Sequence, residues 1–187
     1  MKLMPLLAAA SAAILLTSCT AIESASQTRK RCPDMNMQEA AEQADAILDD
    51  TINTIKPEIQ WAHGVTSKGH ESISRDRTVM TIISDERRGA FLGVVERFWK
   101  ESGYTIKSVN SSERTPAIFA QSSDGFGVSL IIGGKGQAYF VVDSPCVQKS
   151  DVADPTTPPN YRGEYPLPRP NVHSDFWSAN TPLPPKP

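Results

Sequence analysis

The chain has 187 residues, with 19 Lys and Arg against 21 Asp and Glu, a net charge of −2 at pH 7, and 39% hydrophobic residues. The length suits one small domain with flanking segments, and the apolar content is sufficient for a hydrophobic core. The slightly acidic balance gives no indication of a nucleic-acid partner.

The N-terminal residues are typical of a secretory signal. Lys2 precedes an apolar stretch over residues 3–16, which is too short to span a bilayer. The residues Leu16-Thr17-Ser18-Cys19 then resemble the lipobox of bacterial lipoprotein precursors. This resemblance implies that 1–18 is a signal peptide and that lipid on Cys19 holds the chain at the extracytoplasmic face of the cell membrane. A secreted protein with a coincidental cysteine is the alternative.

Residues 19–31 are interpreted as a polar tether. They end in Arg29-Lys30-Arg31 and carry a net charge of +2. Such a cluster favours anionic headgroups by about 1 kcal/mol per charge near the surface. A charge run that only aids solubility is the other interpretation.

The two remaining cysteines are Cys32 and Cys146. Because an exported chain meets an oxidising compartment, we predict that they form a disulfide. Two independent thiols remain the alternative, since spacing in the sequence does not establish that they are close in space.

Residues 32–150 are predicted to form one domain that begins with a helix and two strands. Asn36 and Glu39 suit a capping box, and apolar residues at helical spacing predict a helix over 36–56 that Pro57 ends. The apolar and β-branched residues of 59–65 and 78–83 predict strands.

A second helix is predicted over residues 85–102, with Gly103 as its stop signal. Its expected buried face consists of Phe91, Val94, Val95, Phe98 and Trp99. Four further strands are predicted over residues 104–109, 117–120, 126–132 and 138–143. The element order is then α-β-β-α-β-β-β-β, an α+β fold with both helices on one face of an antiparallel sheet of about five to six strands.

Residues 151–187 differ sharply in composition, because they contain ten of the fifteen prolines and no sustained apolar periodicity. They are interpreted as an extended, Pro-rich C-terminal tail. Its aromatic residues are Tyr161, Tyr165, Phe176 and Trp177. Three interpretations stay open: a disordered extension, docking on the chain's own domain, and recognition of a partner. A domain complete by residue 150 would need none of the tail for folding.

No motif in the sequence indicates a cofactor or a metal site. Gly133-Gly134-Lys135-Gly136 lacks the Ser or Thr and the helix of a phosphate-binding loop, so a hairpin turn is favoured. His63, His70 and Glu71 are the best metal candidates, but their loop-like spacing predicts solvated side chains. No serine lies in a nucleophile elbow, and neither cysteine is predicted to be a nucleophile. We therefore predict no catalytic residues.

The other charged and aromatic residues have structural interpretations. The arginines Arg75, Arg77, Arg87, Arg88 and Arg114 are expected to be scattered surface charges, with an anion-binding patch as the alternative. The carboxylates Asp49, Asp50, Asp85, Glu86, Glu96 and Glu101 are expected on exposed helix faces. Glu96 and Lys100 suit an i,i+4 pair. Trp61 and Trp99 are expected in the core rather than in a ligand platform.

Several short motifs over residues 35–148 resemble small actinobacterial surface lipoproteins of the LppA-like group. They are Pro57-Glu58-Ile59-Gln60-Trp61, Arg87-Arg88, Asp124-Gly125-Phe126-Gly127, Gly133-Gly134-Lys135-Gly136 and Ser144-Pro145-Cys146. The resemblance implies an α+β fold and no established activity. In that group the partner of the last cysteine lies on an early strand, whereas Cys32 precedes the first helix here.

Taken together, these features predict a membrane-anchored lipoprotein that is a non-catalytic binding or accessory protein of the cell envelope. Its expected partners are the membrane, through the lipid on Cys19, and an unidentified protein or envelope ligand. An envelope assembly or chaperone-like factor is the first alternative, and an envelope hydrolase is the second. A large exposed apolar patch would favour binding, and a cleft with inward-pointing His, Ser or Asp would favour the hydrolase.

Overall fold

The computed structural model describes Cys32 and residues 34–183. The predicted signal peptide 1–18, the tether 19–31 and the lipid-attachment residue Cys19 lie outside the described residues. The elements in chain order are α1 (Met37–Asn53), β1 (Trp61–Lys68), β2 (Ile73–Val79), α2 (Asp85–Glu101), β3 (Thr105–Asn110), β4 (Ala117–Gln121), β5 (Gly127–Ile132) and β6 (Ala138–Asp143). This is the predicted order.

The six strands form one sheet in the order β1-β2-β6-β5-β4-β3. Every neighbouring pair is antiparallel. The predicted α+β class with an antiparallel sheet is confirmed. On one face of this sheet, α1 packs mainly against β2 and β6, and α2 packs against β3, β4 and β5.

Helix α1 begins as the capping residues predict. The Asn36 side chain accepts hydrogen bonds from the amides of Gln38 and Glu39, and the Glu39 side chain accepts one from the Asn36 amide. The helix ends at Asn53, three residues before the predicted end. Ile55 instead turns into the core, where it is fully buried, and its amide donates to the Ile52 carbonyl.

The second predicted strand, 78–83, is displaced from the observed β2, which spans Ile73–Val79. The polar Ser74-Arg75-Asp76-Arg77 run belongs to the strand because both arginines pair with partly buried aspartates of α1. The β-branched residues after Val79 leave the sheet, and the amide of Ile82 donates to the carbonyl of Val172 in the tail. A tertiary contact has therefore overridden strand propensity.

The C-terminal tail packs on the domain instead of extending from it. Trp177 is 1% exposed and belongs to the hydrophobic core, in edge contact with Phe91 at a centroid distance of 5.1 Å. The tail residues up to Leu183 belong to the same compact unit as the helices and sheet. Residue 150 is therefore not a boundary between separate parts, although the tail contains no helix or strand among its described residues.

The sheet is wider than the two helices that pack on it. Six strands at about 4.8 Å spacing span roughly 24 Å, whereas two helices packed side by side cover roughly 20 Å. At the β1 edge the tail completes the layer: Asn160 accepts from the Trp61 amide at 2.8 Å, and the Tyr161 amide donates to the Trp61 carbonyl at 3.1 Å. At the β3 edge the described residues leave Val109 56% exposed.

Candidate functional site

A cluster of buried charges lies between α1, β2 and the tail. Arg75 and Arg77 alternate along β2, so both side chains point toward α1, and they are 2% and 1% exposed. Arg75 Nε lies 3.4 Å from Asp45 Oδ2, and Arg77 Nη1 lies 2.6 Å from Asp49 Oδ1. The i,i+4 spacing of the two aspartates on α1 matches the i,i+2 spacing of the two arginines on β2.

Two rings of β1 complete this cluster. The Arg77 guanidinium lies 4.0 Å from the centroid of the Trp61 ring, a cation–π arrangement. His63 meets the edge of Trp61 at a centroid distance of 5.2 Å. Burial lowers the pKa of His63 and of Arg77, although Asp49 acts in the opposite direction on Arg77. Burial raises the pKa of Asp45 more than Arg75 and Arg77 lower it.

The tail covers the cluster with backbone and hydroxyl groups. Arg75 Nη2 donates to the Ala153 carbonyl at 2.6 Å, and Thr157 Oγ1 donates to Asp49 Oδ2 at 2.7 Å. His63 Nε2 lies 2.9 Å from the Thr157 carbonyl oxygen. A cavity of about 190 Å³ remains between α1, Arg75 and residues 153–157.

Ion pairs and hydrogen bonds join the members of this cluster. Each arginine has an aspartate partner; the Trp61 ring lies against Arg77, and the tail accepts one hydrogen bond from Arg75, while the Nε atoms of both arginines are buried without a hydrogen-bond partner among the described residues. The hydroxyl of Thr157 donates to Asp49, and His63 Nε2 faces the Thr157 carbonyl oxygen rather than that hydroxyl, so these contacts form no nucleophile–base pair. We interpret it as the ion-pair network that fastens the tail to α1 and β2.

A second feature, the α2–β3 groove, is open to solvent. It has a volume of about 590 Å³ and lies between one face of α2 and the strand β3 with its following loop. Its lining residues on α2 are Asp85, Glu86, Arg88, Gly89, Leu92, Gly93 and Glu96, and on the opposite side they are Val109, Asn110, Ser111, Ser112, Glu113 and Pro116. An apolar floor of Leu92 and Val109 with an acidic rim suits the binding of a ligand or partner.

The predicted metal candidates do not converge. His70 is 81% exposed in the β1–β2 loop, where its nearest charged neighbour is Glu71 at 3.8 Å. His63 instead faces the tail. Among the described residues the one grouping of three potential metal ligands is Cys32, Glu71 and Cys146. Because both sulfurs are in a disulfide, this grouping offers no thiolate.

The predicted Cys32–Cys146 disulfide is present, with 5.1 Å between the two Cα atoms. It joins the residues before α1 to the segment after β6. Beside it, the Met37 amide donates to the Gln148 carbonyl at 2.9 Å. The hairpin interpretation of the Gly133–Gly136 segment is also confirmed, because β5 and β6 pair antiparallel across a short 3-10 turn.

The expectation of scattered surface arginines is wrong for four of the five. Arg75 and Arg77 occupy the cluster under the tail, whereas Arg87 and Arg88 are 5% and 8% exposed at the start of α2. Arg87 Nε donates to the Phe176 carbonyl at 2.9 Å. Arg88 Nη2 lies 2.6 Å from Asp85, and its Nη1 donates to the Glu113 carbonyl at 3.1 Å. The two pairs share no partner in these contacts, and all four side chains are buried rather than exposed as one anion-binding patch.

Of the other residues considered from the sequence, most lie where expected. Trp99 is a core residue whose Nε1 donates to Thr51 Oγ1 at 3.1 Å, and Trp61 is 5% exposed. Glu96 and Lys100 form the predicted pair at 2.6 Å. Asp49 is the exception, because it turns from the exposed face of α1 toward Arg77.

Sequence reasoning missed the charge cluster and the groove. A signal for the cluster was present, since Asp45 and Asp49 flank the apolar stripe of the first helix and two arginines alternate in a short run. The groove had a weaker signal in the Gly89 and Gly93 pair on one helix face. Neither pattern shows which strand the helix faces. That depends on how the helices pack on the sheet.

Among the described residues, no helix is both long and apolar enough to cross a membrane. No family model matches the chain, and no curated protein matches it either. One solved structure with similarity is a DUF4853 family protein from Actinomyces odontolyticus ATCC 17982, at 12% sequence identity and a TM-score of 0.30, over 69% of this chain and 71% of that one.

Proposed function

We propose that this chain is a membrane-anchored extracytoplasmic lipoprotein that acts as a non-catalytic binding or accessory protein of the cell envelope. The observation that carries the binding role is the α2–β3 groove, with Val109 56% exposed beside Leu92. The opposite edge of the same layer is covered by the tail. An apolar surface left open in an otherwise covered layer is the kind of surface that a partner occupies.

Two features support the proposed location. Leu16-Thr17-Ser18-Cys19 has the lipobox pattern, and two acyl chains on Cys19 would bury many methylenes at about 0.8 kcal/mol each. The Cys32–Cys146 disulfide is consistent with an oxidising compartment. The membrane test is Cys19→Ala: we expect the loss of palmitate labelling and of sedimentation with membranes. Unchanged labelling would contradict the anchor.

The binding role is tested by site-specific photocrosslinking in cells. A photoreactive phenylalanine analogue replaces Val109 in the groove, and the matched control replaces Val65, which is 66% exposed on the β1 edge. We expect discrete crosslinked adducts from position 109 and none from position 65. Equal or absent crosslinking at both positions would remove the groove as the binding surface.

A further inference from the structure

We infer that the α2–β3 groove accepts a short amphipathic helix of a partner protein, with Lys or Arg side chains flanking its apolar face. This inference rests on the proposed binding role and adds the chemistry of the partner. It is drawn from three properties of the groove: the shape of its α2 wall, the open space beside two glycines, and the sign of its charges.

The α2 wall is a helix face on which no helix packs among residues 34–183. Asp85, Gly89, Leu92, Gly93 and Glu96 line the groove at the spacing i, i+4, i+7, i+8 and i+11, which is one face of a helix. Eleven residues of α2 extend over roughly 16 Å, so the wall matches a helix of about three turns. The groove is therefore a place where a third helix can complete the layer over β3.

The glycines allow a close approach. A Cβ added at Gly89 or at Gly93 would meet no atom within 4 Å outside the helix backbone. At these two positions α2 presents backbone rather than side chains, so the apolar residues of a second helix can fill the space between them. Packed helices lie 8–10 Å apart, depending on the side chains at the contact, and glycines permit the shorter distances.

Charge selects a basic partner. The groove is lined by four carboxylates, Asp85, Glu86, Glu96 and Glu113, and by one guanidinium, Arg88, which is paired with Asp85. Lys100 pairs with Glu96 at 2.6 Å. Among the described ion pairs none involves Glu86 or Glu113, so these two carboxylates carry the uncompensated negative charge of the groove. Acidic rims around an apolar floor accelerate the association of Lys- and Arg-bearing partners and disfavour acidic ones.

The experiment uses the chain from residue 19 onward with Cys19→Ser, which removes the lipid, and follows ¹⁵N amide resonances. The probe is a 14-residue acetylated and amidated peptide with Leu at one helical face and Lys on its flanks. A second peptide replaces each Lys with Glu, and a third replaces a central Leu with Pro. We expect the Lys peptide to shift the amides of Gly89 and Gly93, with at least tenfold weaker binding by the other two.

Variants separate the groove from general charge attraction. Gly93→Trp fills the open space and should abolish the shifts, whereas Gly134→Trp, at another glycine with open surroundings, should not. If Gly93→Trp does not fold, the double variant Glu86→Gln/Glu113→Gln answers the same question, with an expected affinity loss of about threefold to tenfold. Its control is Glu39→Gln/Glu58→Gln, away from the groove.

Two results would overturn this inference. One is Lys-peptide binding that Gly93→Trp and Glu86→Gln/Glu113→Gln leave unchanged, and the other is the absence of shifts at Gly89 and Gly93. Equal binding of the Glu peptide would overturn the charge assignment. Because the Val109 crosslinking experiment does not depend on the probe peptides, crosslinks without peptide binding would reject the basic helix and leave the proposed binding role standing.

Discussion

The Trp177 indole Nε1–H donates to the Pro57 carbonyl over 2.7 Å, although the two residues are 120 positions apart in the chain. This bond joins the tail to the connection between α1 and β1. The Trp177 carbonyl also accepts from the Ser84 amide at 3.0 Å, which joins the tail to the start of α2. Through Trp177 the tail is thus joined to the domain at two places, the α1–β1 connection and the start of α2.

Trp177→Ala should destabilise the domain by about 3–5 kcal/mol, because a fully buried aromatic side chain is lost from the core. Chemical denaturation of the unlipidated chain measures this. Tyr165→Ala, at a tail residue that is 63% exposed, is the control and should change stability by less than about 0.5 kcal/mol.

Truncation after Ser150, which the sequence alone suggested would be tolerated, should lower the stability at least as much as Trp177→Ala. A truncated domain that melts within a few degrees of the full chain would contradict this prediction.

Arg77→Met should also destabilise the domain, by about 3–5 kcal/mol, because it leaves Asp49 without its cation in a partly buried site. Arg77→Met combined with Asp49→Leu should recover much of the loss, since both charges are then removed. Lys56→Met, in an ion pair whose side chains are 64% and 79% exposed, is the matched control and should have little effect. A double-mutant cycle by urea denaturation measures the coupling free energy between Arg77 and Asp49. If the effects of the two single substitutions simply add, the two side chains do not stabilise each other and the prediction is wrong.

Stability should fall as the pH decreases below about 6.5, the ordinary pKa of histidine. Burial lowers the pKa of His63 in the folded protein, so the unfolded chain takes up a proton that the folded chain resists. The contribution of His63 to the free energy of unfolding is therefore fully present above pH 6.5. It is lost as the pH falls from 6.5 toward the lower pKa of the folded state. Asp45, whose pKa is raised by burial, acts in the opposite direction at more acidic pH. His63→Gln should flatten the decline between pH 7 and pH 5.5 in denaturation experiments, and His70→Gln in the exposed loop should leave it unchanged.

Gly89→Ala and Gly93→Ala should each stabilise the protein by about 0.5–1 kcal/mol, because both lie inside α2 with space for a Cβ. Gly103→Ala is the matched comparison, because Gly103 also has space for a Cβ but has a φ of +79°. There the added Cβ strains the left-handed backbone, and the variant should lose stability. Thermal unfolding of the three variants distinguishes the two effects. Destabilisation by all three would show that the helical glycines have a packing role in the unbound chain.

Removing the disulfide by Cys32→Ala/Cys146→Ala should lower the free energy of unfolding by about 4–5 kcal/mol on the chain-entropy account, because the bond closes a long loop. The two cysteines are 114 positions apart. Non-reducing peptide mapping should recover the linked peptide in the wild-type chain. Recovery of both cysteines as free thiols would refute the pairing.

The sequence by itself predicted the element order, the cap of α1, the hairpin at Gly133–Gly136 and a bond between Cys32 and Cys146. These depend on local spacing, on turn chemistry and on counting, which a linear chain carries in full. Only the tertiary structure decided that Arg75 and Arg77 are buried, that residues 80–83 leave the sheet, and that Trp177 enters the core.

The physical reason is the width of the layer. Two helices do not cover six strands. At one edge the tail packs on the sheet, and its Ala153 carbonyl accepts a hydrogen bond from Arg75. At the other edge the described residues leave Val109 and the helical glycines of α2 open. The packing of the tail cannot be predicted from apolar periodicity, because its prolines and single aromatic residues pack without a sequence repeat. The exposure at the other edge depends on which of the described elements pack beside α2, and no local sequence pattern specifies that packing.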